Sequence, residues 1–195
     1  MASETIEVLH LVAAELDRIG IPYAVGGSVA SGLYGEPRST HDVDLLLDLG
    51  LDDVPRLVAA LEDRFYLQAA AAREAIARCS SFQAVHRKLH VKVDLFIRGE
   101  NALDRDQIER RIRRTCSDDD PRSVFMTSPE VIVLRKLDWY RMTNETSDRQ
   151  WRDVVGVIKV SGTRLDFPYL QRMASTLGTR ALLDRALREA GRGPA

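Results

Sequence analysis

Cysteine is almost absent: Cys79 and Cys116 are the only two in 195 residues, and their separation matches no metal-ligand spacing. That excludes a disulfide framework and a zinc knuckle, and the pair reads as reduced thiols of a cytosolic protein. Long hydrophobic runs are missing too. No apolar stretch approaches the ~20 residues that cross a bilayer, so no membrane partner is expected. Met1-Ala2-Ser3-Glu4 offers no basic start leading into an apolar run, which argues against a secretory leader. Repeats and low-complexity segments are absent, which excludes solenoid and linker architectures. Nor does one sign of charge prevail, since 28 Lys and Arg stand against 29 Asp and Glu for a net −1. Any attraction for a polyanion must therefore come from local clusters. What is present is a globular mix, 45% hydrophobic and 29% charged, on a chain long enough to bury a core without staples.

The apolar periodicities alternate between helix and strand. Residues 4–19 predict an amphipathic helix with Ser3 as N-cap, ended by Gly20 and Pro22. Tyr23-Ala24-Val25 reads as a short strand entering Gly26-Gly27, and a helix follows from Ser28 to Tyr34. Asp42 to Leu47 (DVDLLL) is rich enough in apolar residues to be a central strand. A helix over 52–64, a strand near 65–67 and an alanine-rich helix over 70–78 come next. Ser81–His86 and Leu89–Ile97 then read as paired strands about a turn at Arg87-Lys88. Residues 103–112 read as a helix and 122–126 as the last strand. From Ser128-Pro129-Glu130 the pattern is helical, over 129–142, 148–160, 167–177 and 179–190. The expected fold class is α+β: a small mixed sheet with flanking helices over residues 1–124, then a helical lobe over 125–195, with the boundary near 120–127.

Arginines gather in two places. Arg105 to Arg114 (RDQIERRIRR) reads as part of a basic helix face, followed by Asp118-Asp119-Asp120. Arg164, Arg172, Arg180, Arg185, Arg188 and Arg192 mark the stretch from residue 164 onward. Both clusters suit a solvated face, and both also suit an RNA partner. His86 and His90 flank a turn and read as solvated; His41 alternates away from its acidic neighbours. Trp139, Tyr140 and Trp151 read as core of the helical lobe.

Three features occur in the order that phosphoryl transfer needs. Gly26-Gly27-Ser28 lies at a strand-to-helix junction, where glycine admits a phosphate to the backbone and the helix start supplies free N–H groups. Asp42-Val43-Asp44 places two carboxylates on one side of a strand, roughly 7 Å apart at Cα. Such a pair is repulsive alone and favourable around magnesium, which takes hard oxygen ligands. Asp94 interrupts an otherwise apolar strand, against strand propensity, and could complete a metal triad with Asp42 and Asp44. Each feature also has a bland reading: a connector, a solvated sheet end, a salt bridge.

Taken together, GGSVASGLYGEPRSTHDVDLLL and the later acidic strand resemble the DNA polymerase β-type nucleotidyltransferase superfamily. The Arg38-x-Thr40-x-Asp42-x-Asp44 spelling and the helical second half look most like its AbiEii/MenT-type bacterial branch. The resemblance implies that Gly27 and Ser28 bind the NTP phosphates, while Arg38 suits either a phosphate contact or a brace paired with an acidic neighbour. It implies two Mg²⁺ ions on Asp42, Asp44 and Asp94, with Asp94 also helping to deprotonate the acceptor. Lys136 would neutralise phosphate charge, and Asp153 is the match to the branch's downstream aspartate, although SDRQWRD departs from its commoner spelling.

The expected activity is thus transfer of a nucleoside monophosphate from an NTP to an acceptor, in the cytoplasm, with NTP between the two lobes. Some members of the branch are toxins that modify the tRNA acceptor end and are neutralised by a cognate antitoxin, so RNA and an antitoxin are the implied partners. Two other readings stay open: a protein AMP-transferase of the same fold, and an inactive nucleotide-sensing module.

Overall fold

The computed structural model describes residues 3–37, 39–117 and 119–192. It divides into two compact units, one formed by described residues of Met1–Val29 and Ser39–Thr127, the other by those of Ala30–Arg38 and Ser128–Ala195.

The first unit is built on a mixed sheet of seven strands: β1 (Tyr23–Val25), β2 (Asp42–Leu47), β3 (Phe65–Tyr66), β4 (Ser81–His86), β5 (Lys92–Ile97), β6 (Ile112–Ser117) and β7 (Asp120–Met126). Their order is β3-β4-β5-β2-β1-β7-β6, so the DVDLLL strand is the fourth of seven and central. It pairs parallel with β5 and antiparallel with β1. Alternation decides what each face of β2 does. Val43, Leu45 and Leu47 are fully buried, as are Val93 and Leu95 beside them on β5. On the opposite face Leu46 packs with Ala24, Ile108 and Phe96. That second face is also the one bearing Asp42 and Asp44. α1 (Ser3–Ile19) and α3 (Val54–Leu61) pack together, with Leu9, Leu16, Leu57 and Leu61 among their buried side chains. Ser3, expected as the cap of α1, is instead its first residue. α4 (Ala69–Arg78) and α5 (Ala102–Glu109) complete the unit's larger helices.

The arginine run is where the sequence reading needs correction. The helix expected over 103–112 ends at Glu109, and Ile112–Ser117 is a strand, β6, in a hairpin with β7. Its strand character was hidden because three consecutive residues, Arg113, Arg114 and Thr115, are exposed and only Cys116 is buried. Those charges suit an edge strand, which they protect from pairing with another chain. The run therefore presents no single basic helix face. Arg113 lies 4.3 Å over the Phe125 ring and pairs with Asp17 at 3.0 Å. Arg111 lies 4.6 Å over the same ring and donates to the Ile108 carbonyl. Of the acidic triplet, Asp118 is outside the described residues, and Asp120 pairs with Arg122, which holds its carboxyl down at about 2.

Three smaller expectations also change. His86 is buried, its ring edge-on to Phe65 and its Nδ1 accepting from the Leu89 N–H at 3.1 Å; only His90 is solvated. Trp139 is 50% exposed rather than core, while Tyr140 and Trp151 are buried with their tilted rings 5.2 Å apart. Both cysteines are free thiols, Cys79 exposed and Cys116 buried, and burial pushes the Cys116 thiol up to about 11.

The second unit is helical: the end of α2 (Gly27–Tyr34), then α6 (Pro129–Met142), α7 (Asp148–Ser161), α8 (Phe167–Thr176) and α9 (Arg180–Glu189). Ser128 caps α6 as expected, accepting from the Val131 N–H, with proline in the first turn. Gly35, just past α2, is held close to α7, since a β-carbon there would meet Val157 N at 2.8 Å. Among the described residues no helix is long and apolar enough to cross a membrane.

Candidate active site

The acidic residues are assembled by sheet register. In the parallel pairing of β2 with β5, Asp44 stands opposite Asp94 and Asp42 opposite Lys92. Because side chains alternate, all four project to one face of adjacent strands. This edge faces the turn between β1 and α2. The Gly26 N–H donates to the Asp44 carbonyl at 2.8 Å, tying that turn to β2. Gly27 then adopts φ +55°, and a β-carbon there would fall 1.8 Å from Asp44 Oδ2. Glycine is thus required twice, for the left-handed backbone and for the carboxylate lying against it. Ser28, at the start of α2, is buried. The segment before β2 is fixed by Thr5 and Thr40, both buried: Thr5 Oγ1 donates to the Thr40 carbonyl, and Thr40 Oγ1 to the Asp42 carbonyl. Arg38 lies outside the described residues.

Lys92 was not among the expected site residues, yet it sits in the middle of the acidic edge. Its Nζ is 3.0 Å from Asp94 Oδ2 and 3.6 Å from Asp42 Oδ1. The hydrogen bond to Asp94 raises its pKa, with a smaller contribution from Asp42. The alternation of HVKVDLF put Lys92 on the Asp94 face; what sequence could not supply was its register against Asp42. Among the described residues no three carboxylate, imidazole or thiolate groups stand close enough to hold a metal ion together. Asp42 and Asp94 are drawn onto the ammonium, and Asp44 lies on Gly27. The donor set itself suits magnesium. It is all hard oxygen on one face, and it already holds a cation in the form of Lys92.

Lys136 and Asp153 belong to the second unit and are brought together there. Lys136 Nζ contacts Asp153 Oδ2 at 2.7 Å and Gln150 Oε1 at 3.0 Å, and Ser31 Oγ donates to Asp153 Oδ2 at 3.2 Å. The ion-paired side chains are 7% and 10% exposed, so Lys136 is no surface lysine. The Lys136–Asp153 spacing of 17 residues joins α6 to α7.

No family model matches the chain, and no curated protein matches it in sequence. Solved structures do. The solution structure of the antibiotic-resistance factor ANT(2'')-Ia aligns over 97% of this chain and 100% of its own, with a TM-score of 0.61 at 14% identity. The crystal structure of ANT(2'')-Ia with adenylyl-2''-tobramycin aligns over 92% and 99%, again at 0.61 and 14%. An antigenic nucleotidyltransferase-like protein from Paracoccidioides brasiliensis aligns over 96% and 94%, at 0.59 and 20% identity. This chain has the nucleotidyltransferase fold.

The left-handed backbone of Gly27, lying against Asp44, has a testable consequence. Gly27→Ala forces a left-handed alanine, costing about 1–2 kcal/mol, and drives its β-carbon into Asp44. We expect a lower urea midpoint than that of the wild type. An unchanged urea midpoint in Gly27→Ala would show that the close approach of Asp44 to the turn does not constrain this position.

Proposed function

We propose that the chain is a magnesium-dependent nucleotidyltransferase that moves a nucleoside monophosphate from an NTP to an acceptor hydroxyl. The observation carrying this reading is the register that sets Asp44 beside Asp94, with Asp42 on the same face and Gly27-Ser28 turned against them. Gly27 and Ser28 receive the triphosphate at the start of α2, where the positive end of the helix dipole favours anions. Asp42, Asp44 and Asp94 hold the magnesium, which when bound supplies charge neutralisation for the triphosphate and the leaving group. Asp94 takes the proton of the acceptor hydroxyl. The acceptor oxygen bonds to the α-phosphorus in line, the α–β bridge bond breaks, and pyrophosphate leaves with the electron pair. Lys136 contributes through its buried pair with Asp153, which is a different use of the lysine from the direct phosphate contact that the sequence resemblance implies.

For the acceptor, the resemblance to the AbiEii/MenT-type branch supports RNA, with an antitoxin as partner. The arginine run no longer adds to that support, because Arg111 and Arg113 are engaged with Phe125, Ile108 and Asp17. A second acceptor class, a small amino sugar, is suggested by the alignment over 99% of the ANT(2'')-Ia chain solved with adenylyl-2''-tobramycin. The experiment is to incubate the chain with Mg²⁺ and each α-labelled NTP, offering total RNA, bulk protein or tobramycin. Label should enter RNA, and Asp42→Ala or Asp44→Ala should abolish it. Label on tobramycin or protein with RNA clean replaces the acceptor; no label anywhere, with NTP still bound, favours the sensing module.

A further inference from the structure

We propose that Lys92 is a resident counter-ion of the metal site, a positioning residue that occupies the acidic edge without metal and sets how tightly divalent metal binds. The inference rests on the metal-dependent reading above and extends it to a residue which that reading does not use. Three observations carry it. Lys92 bridges two of the three carboxylates, 3.0 Å from Asp94 and 3.6 Å from Asp42, on neighbouring strands. No cluster of three metal-ligating side chains exists among the described residues while it does so. The lysine is 36% exposed in its side chain, against 16% for Asp94, so its long stem has room to swing into water while Asp94 stays in place.

The physical consequence is competition. Like charges on Asp42, Asp44 and Asp94 repel one another, and the ammonium relieves that repulsion in the metal-free protein. A divalent ion binding the same oxygens must displace the ammonium and then tolerate a unit positive charge a few ångströms away. Lys92 therefore stabilises the metal-free edge and weakens bare-metal binding. An NTP carrying its own metal brings negative charge as well, which gives the displaced ammonium a new partner. Such a site favours the metal–nucleotide complex over the free ion.

The test uses the full chain without nucleotide and Mn²⁺ as the probe, with free ion measured by electron paramagnetic resonance. Lys92→Met should bind Mn²⁺ about ten-fold more tightly than wild type, the scale expected for removing a unit charge near a divalent ion. Lys92→Arg, which keeps the charge, should stay within about two-fold of wild type on the same grounds. Lys92→Met should also melt at a lower temperature than wild type without metal and recover with Mn²⁺. A merely structural lysine would lower melting equally with and without the ion. Unchanged Mn²⁺ affinity in Lys92→Met, with wild type binding normally, overturns the role of Lys92 and leaves the metal-dependent reading intact. Absence of Mn²⁺ binding in both proteins overturns the role of Lys92, and absence of Mn²⁺ binding even with NTP present overturns the metal-dependent reading as well.

Discussion

Asp94→Asn should lower nucleotidyl transfer by about 10²–10⁴-fold, the usual contribution of a positioned general base, while the protein still folds. Asp94 sits mid-strand on β5 opposite Asp44, and its side chain is 16% exposed. Asparagine keeps the shape and can still accept from the Lys92 ammonium 3.0 Å away, so the strand loses little. An exposed or half-exposed ion pair contributes at most about 1 kcal/mol in any case. The chemistry loses more: an amide neither takes the hydroxyl proton nor offers a charged ligand to magnesium. The measurement is single-turnover transfer from α-labelled NTP alongside thermal melting. If residual activity merely follows the folded fraction, Asp94 is a structural salt-bridge residue and the catalytic assignment is wrong.

The largest stability effect should come from the second unit. Lys136→Met is expected to cost about 3–5 kcal/mol, because it leaves a buried carboxylate without its cation. Asp153 would retain Ser31 as a donor, at 3.2 Å, but a hydroxyl does not cancel its charge. Lys136→Met combined with Asp153→Leu should regain most of that loss, since replacing both partners of a buried pair by apolar groups is often neutral. Urea denaturation without nucleotide checks both variants. A loss below about 1 kcal/mol in the single variant would assign the pair a surface-like weight and remove it from the scaffold of α6 and α7.

The acidic strands could be read from the chain because they break local rules. Two aspartates at i and i+2 before LLL, and a third inside an apolar strand, contradict both propensity and burial unless a site requires them. The helices of the second half were equally legible: Ser128-Pro129 fixes the start of α6, and α6 to α9 all lie close to their expected bounds. β6 was not legible. Its exposed arginines make sense only as an edge strand, and edge position is a property of the sheet order, not of a local window. His86 and Trp139 misled for the same reason, one buried by Phe65 from another strand, the other left uncovered on α6.

Apart from β6, the sequence by itself determined the alternation of strands and helices, the Gly-Ser turn, the three carboxylates and the faces they occupy, because each follows from periods of 2 and 3.6 residues and from the conformational freedom of glycine. Register and long-range packing were decided only in three dimensions. The pairing of β2 with β5 set Asp44 against Asp94 and delivered Lys92 to Asp42, across 50 residues of chain that carry no trace of the offset. Likewise α6 and α7 had to pack before Lys136, Gln150 and Asp153 could meet and lose their water. Charge compensation at close range depends on distances of a few ångströms between remote segments, and a local pattern cannot encode them.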